Sequence, residues 1–179
     1  MLRISSFVMV CLSTLAIATP LTHEQMVQKG DEISGKLLQK LGGELKSQMQ
    51  NGGAINALHF CSQNALTLTE QVGKESNVTI KRITQKNRNP INRASASEIA
   101  LMEEIEASLK KGEKIPQQKL VDSNRYYKPI IINNEACLKC HGNLDPQSPL
   151  AKEIRTLYPE DKALGYQMGD LRGLIRIDF

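Results

Sequence analysis

No apolar run in this sequence is long enough to cross a membrane comfortably. The longest, Ile4 to Ile17, falls short of the roughly 20 residues that a spanning helix needs. Basic residues do not gather either. The formal net charge is +4, but it is spread along the chain, which leaves no footing for a nucleic-acid partner. Cysteine is scarce, with four in 179 residues, and tryptophan is absent. Histidine occurs at positions 23, 59 and 141 and nowhere else, so a histidine ligand, if one is used, comes from that set.

What the chain does have is the run Cys137-Leu138-Lys139-Cys140-His141-Gly142. Two cysteines three positions apart with a histidine next to the second form the C-x-x-C-H pattern of covalent c-type haem attachment. Each thiol adds across one haem vinyl group, and the adjoining histidine is then held beneath the iron as an axial ligand. A short constrained loop is expected to carry it. Two other readings use the same residues. A redox-active C-x-x-C belongs at the start of a βαβ unit, whereas this run follows a helical N-terminal half. Zinc could draw on Cys61, Cys137, Cys140 and His141, but adjacent Cys140 and His141 would struggle to share one tetrahedral ion.

The N-terminus reads as an address. Arg3 supplies a positive start, Ile4 to Ile17 an apolar stretch, and Ala16-Ile17-Ala18 the small residues of a cleavage site, so residues 1–18 are expected to be a signal peptide and residues 19–179 one domain. Cys11 follows Val10 rather than a small residue and reads as part of that signal, not as a lipid-bearing cysteine. The expected location is the periplasm, without a stable membrane span. Three cysteines then remain, an odd number in an oxidising compartment. If Cys137 and Cys140 hold haem, Cys61 must be buried, paired between chains or bound to something.

Thr22 and Gln25 have capping-box spacing, so a helix is expected from about His23, with Ile33, Leu37, Leu41 and Leu45 on one stripe. Asn51-Gly52-Gly53 should end it. A second helix from Ala54 to about Thr69 places Ala54, Leu58, Cys61, Ala65 and Leu68 on one apolar face, so Cys61 points inward as a small buried hydrophobe. Val78 to Ile83 reads as a strand, residues 86–92 as an ordered turn, and Ser95 with Glu98 as the start of a third helix carrying Ile99, Met102, Ile105 and Leu109. Arg125 to Asn133 is a strand in which Pro129 demands an edge or a bulge. Ser148-Pro149 opens a short helix with Leu150, Ile154 and Leu157 on its apolar side. In the closing stretch Leu171, Gly173, Ile175, Ile177 and Phe179 alternate with Arg172, Arg176 and Asp178. The class is α+β.

With these residues laid out, the chain resembles the Tll0287-like family of single-haem exported domains, formerly a domain of unknown function. The resemblance rests on the stretch around Cys61, on KNRNPIN at 86–92, on YKPIIINNEACLKCHG at 127–142 and on YPEDKALGYQMGDLRG at 158–173. It implies a PAS-like fold with helices on an antiparallel sheet and one covalent haem c in the pocket. It also implies axial ligation by His141 on one side and by Cys61 as thiolate on the other. The missing tryptophan is a departure, because such relatives often carry an aromatic residue after the NRNP segment.

Two axial ligands leave no open coordination position, so the expectation is a protein that is not an enzyme, with peroxidase-like activity conceivable only after ligand loss. The leading reading is a redox or gas sensor in which a small gas displaces Cys61. The alternative is a periplasmic electron-transfer cytochrome. A sensor would signal through a separate protein, since no output domain follows Phe179, and a carrier would need a redox partner protein. Met168, in a glycine-flanked turn, is the other conceivable sixth ligand; His23 and His59 read as surface residues.

Overall fold

The computed structural model describes residues 20–115 and 120–179; the expected signal peptide, Cys11 included, lies outside the described residues. The elements run α1 (His23–Glu75), β1 (Thr79–Ile83), a 3-10 turn (Pro90–Asn92), α2 (Ala96–Lys110), β2 (Val121–Asp122), β3 (Arg125–Ile131), α3 (Glu135–His141), α4 (Pro149–Leu157) and β4 (Leu171–Asp178). The strands form one antiparallel sheet in the order β1-β4-β3-β2. The class is α+β, as expected. No helix among the described residues is long and apolar enough to cross a membrane.

α1 begins where its capping box predicts. Thr22 Oγ1 accepts from Gln25 N at 3.2 Å, and Gln25 Oε1 accepts from Thr22 N at 2.9 Å, an arrangement that adds about 1 kcal/mol to a helix start. The expected break at Asn51-Gly52-Gly53 is a kink between two helical arms. Gly53 adopts φ 71°, a left-handed conformation that costs glycine nothing. Asn56 Nδ2 spans the kink and donates to Gln48 O at 3.1 Å and Gln48 Oε1 at 2.8 Å. The second arm continues to Glu75, beyond the expected end at Thr69.

β4 is the central strand, and its burial departs from simple alternation. Leu174 is as fully buried as Ile175 and Ile177, although it falls on the face expected to be polar. The reason lies in what covers each side. Tyr126, paired with Ile177, donates through its hydroxyl to Asp31 of α1, while the neighbouring Arg176 Nη1 donates to Glu98 Oε1 of α2 at 2.8 Å. Consecutive strand residues point to opposite faces, so α1 and α2 cover the two sides of the sheet. Leu37, Ile83, Met102, Ile105 and Tyr126 complete this aliphatic core.

Gly30 shows how closely α1 approaches the sheet. A Cβ built there would fall within the Tyr126 ring, beside Cγ and Cδ1, the part of the side chain least able to move. Gly30→Ala is therefore expected to destabilise the fold by about 1–3 kcal/mol through overpacking, even though alanine favours helix by about 1 kcal/mol. Urea unfolding tests this; an unchanged or higher midpoint would show that Tyr126 gives way freely.

Pro129 meets both of its conditions. Among the described residues β2 pairs only with Arg125 and Tyr126, so beyond them no described strand flanks β3 on that side, and the register slips between Ile130 and Ile131. Ile130 pairs with Gly173 and Ile131 with Leu171, so Arg172 is left without a partner on β3. Bulges re-aim side chains. This one leaves Arg172 on the wall of the cavity described next.

Candidate cofactor site

The C-x-x-C-H run is a helix rather than the expected loop. Asn134 Oδ1 accepts from Ala136 N at 2.8 Å, Glu135 sits at the positive end, and Gly142 N closes the last turn on Leu138 O at 2.8 Å. Helical spacing of i, i+3 and i+4 brings Cys137, Cys140 and His141 onto one stripe. Leu138 and Cys137 also pack against a small core of Ile132, Ala163 and Tyr166.

That stripe faces a cavity of about 340 Å³, within the size range of small-molecule and cofactor sites. Both arms of α1, the end of β3, α3 and residues 88–92 wall it. Of the face read from helical spacing, Leu58, Cys61, Ala65 and Leu68 are on its lining, and Ala54, beside the kink, is not. Cys61, Cys137, Cys140 and His141 thus share one cavity. All three cysteines are free thiols, and among the described residues no three His, Cys, Asp or Glu side chains gather closely enough to hold a metal ion. The compact zinc arrangement is not formed.

The other ligand candidates lie elsewhere. His59 is turned about 200° from Cys61 on the helix, and its Nε2 lies 3.1 Å from Glu153 Oε1 of α4. His23 is exposed, and Met168 is 51% exposed and off the cavity wall. Ile91, which follows the NRNP segment, is 52% exposed at the cavity.

His141 is oriented by residues far away in sequence. Its Nδ1 lies 2.8 Å from Ala163 O; a carbonyl can only accept, so Nδ1 carries the proton and the Nε2 lone pair is free. Tyr166 N donates to His141 O at 3.0 Å and Gly165 N to Gly142 O at 3.1 Å. The Tyr166 ring stands edge-on to the imidazole at 6.2 Å. Ala163 is itself fixed, because its N donates to Asp161 Oδ1 at 2.8 Å. The other carboxylate oxygen takes Arg88 Nη2 at 3.0 Å and Nε at 3.2 Å, and the same Nη2 reaches Cys140 O at 2.7 Å. The Arg88 and Asp161 side chains are 11% and 4% exposed. Breaking such a buried pair costs about 3–5 kcal/mol.

The electrostatics follow from burial. Burial, then the Arg172 and Arg88 charges, push the His141 imidazole down to about 3, so the ring is neutral. Burial also pushes the Cys61 thiol up, against the pull of Arg82 and Arg88. Cys140 is raised for the same first reason, with Arg88 opposing. Three guanidiniums, those of Arg82, Arg88 and Arg172, stand on the wall with one acidic residue, Glu44.

Sequence reasoning did not single out Arg82, Arg88, Asp161, Ala163 or Arg172. The signal for Arg88 and Asp161 was present in the KNRNPIN and YPEDKA stretches, which dock on each other here. Lys162 N donates to Asn87 O at 3.1 Å and Lys86 Nζ to Leu164 O at 2.6 Å.

A chain in which these two stretches brace a C-x-x-C-H helix belongs to the Tll0287-like family, whose model matches residues 15–179. Among solved structures it is similar to the cyanobacterial heme-protein Tll0287, with 17% sequence identity and a TM-score of 0.64 over 86% of this chain and 93% of that one. At that identity the likeness is one of fold. No curated protein matches the sequence.

Proposed function

We propose that this chain is an exported, periplasmic mono-haem cytochrome of the c type with a PAS-like fold, serving in redox or gas sensing rather than catalysis. Its haem would be attached through Cys137 and Cys140, with His141 and Cys61 as axial ligands. One observation carries the reading: all four residues wall a single cavity, and His141 Nδ1 is engaged by Ala163 O so that Nε2 is left for a metal. Such a second hydrogen bond is the usual way a ligating histidine is fixed. Membership of the Tll0287-like family, and the description of its structural relative as a heme-protein, support haem as the group. Residues 1–18 support export.

Bound haem would supply one-electron chemistry at its iron and, with one axial position vacated, a place for a diatomic gas. The residues divide these tasks unequally. His141 is held at its ring, at its own carbonyl and through Cys140 O. Cys61 stands alone on the second arm of α1, and among the described residues its thiol makes no hydrogen bond. Of the two ligands it is the one free to let go, which favours sensing over simple electron transfer. The partner would be a separate signalling protein.

The test begins with protein purified from a host that matures c-type cytochromes. Haem stain should stay with the chain through denaturing electrophoresis and acid-acetone extraction; colourless protein ends the proposal. Carbon monoxide added to the reduced protein should then displace Cys61 and shift the spectrum. A reduced spectrum indifferent to carbon monoxide would make it an electron carrier, working with a redox partner protein.

A further inference from the structure

Of the three guanidiniums on the cavity wall, only Arg88 has a carboxylate partner among the described residues. Arg172 reaches Thr84 Oγ1 and Lys86 O through Nη1, both at 3.4 Å, and lies 5.3 Å from the centre of the Tyr166 ring. None of these neighbours is anionic, and Asp161, the carboxylate whose charge reaches Arg172, is already paired with Arg88. The Arg82 side chain makes no hydrogen bond or ion pair among the described residues. After burial, the Arg172 charge is the next influence lowering Arg82, and the Arg88 charge lowers Arg172, so the three guanidiniums feel one another across this wall. Glu44 shares the lining but pairs with neither.

Two like charges half-buried on one wall repel, and each has lost part of its hydration, so the arrangement is unfavourable unless an anion joins it. A guanidinium fork matches a carboxylate in geometry as well as in charge. The chain has also kept both residues on the sheet. Arg82 is in β1, paired with Ile175, and Arg172 is at the bulge of β4. Rigid strands hold charges at fixed positions, as a permanently bound ligand requires.

Resting on the haem reading above, we propose that Arg82 and Arg172 form a carboxylate-binding pair for the two haem propionates. This fixes the rotation of the ring in its cavity independently of the thioethers, with the propionate edge toward β1 and β4. The other charged or titratable groups about the pair are Arg88 with Asp161, Lys86, Tyr158, Tyr166, Glu44 and Cys61.

The experiment uses the haem-loaded full chain and compares wild type with Arg82→Gln/Arg172→Gln and Arg82→Lys/Arg172→Lys. Reduction potentials are taken across pH to read the propionate ionisation. A cation within hydrogen-bond reach lowers a carboxylate by about 1–3 pH units, so the glutamine variant should show that ionisation raised by about this amount. The lysine variant should restore it in large part. A haem-loaded glutamine variant whose ionisation stays within about half a unit of wild type overturns the pairing and leaves the haem reading intact. Colourless wild-type protein overturns both. Wild type alone supplies a further arm, in case the variants do not fold. Infrared spectra of haem labelled with carbon-13 at the propionates should show mostly ionised carboxylates even at about pH 4, where an unpaired carboxyl is about half protonated; a protonated carbonyl band of comparable strength there overturns the pairing.

Discussion

Replacing Cys137 and Cys140 together by serine is expected to abolish all haem that survives denaturation. A thiol can add across a vinyl group to form a thioether, and a serine hydroxyl at the same place does not. The loss should be complete rather than graded, whereas either single variant should keep one thioether and some stain. The fold should tolerate the change. Both cysteines are half-buried in a seven-residue helix, where serine has about the same helix propensity as cysteine, and the aliphatic core around β4 does not include them. Circular dichroism of the double variant should therefore match that of wild type. Stain retained at the wild-type level in that variant would place the attachment elsewhere and remove the basis of the proposed function.

Cys61→Ala should have the next largest effect, and on different observables. A thiolate donates charge and stabilises ferric over ferrous iron, so its loss should raise the reduction potential; axial ligand identity is a principal lever on that potential. The oxidised spectrum should change from low-spin to high-spin or water-ligated. Attachment should persist, because Cys137 and Cys140 lie on α3 and Cys61 on α1. Alanine removes one half-buried sulfur from a helical position, a change of about 1 kcal/mol in stability, so loss of fold does not confuse the readout. If spectrum and potential both stay at their wild-type values, Cys61 is the small buried residue that its helical stripe alone suggests.

How far the sequence could be read depended on the range of the interactions involved. Both capping boxes, the inward face bearing Cys61 and the strands beginning at Thr79 and Arg125 were legible, since each is set by residues a few positions apart. Leu174 was not. Its burial depends on α1 and α2 covering opposite faces of β4, which no local pattern records. α3 was read as a loop because its short run of seven residues gives little periodicity; its Asn134 cap was the available signal. The pairing of Arg88 with Asp161 spans 73 positions. Without an observed contact, neither residue stood out among the chain's many charged side chains.

The same ranges set what the histidine's position depends on. Cys137 to Gly142 closes within a single short helix, but the carbonyl that turns the imidazole comes 22 positions later and the arginine that steadies Cys140 lies 52 positions earlier. Bringing such segments together costs loop-closure entropy of about (3/2)RT ln n, whereas the motif itself incurs almost none. A chain ending before Asp161 would still hold every residue of the C-x-x-C-H run, yet it would lack both the acceptor for Nδ1 and the counter-charge for Arg88. The aim of the imidazole is thus a property of the completed topology, and the motif by itself specifies only which atoms are to be aimed.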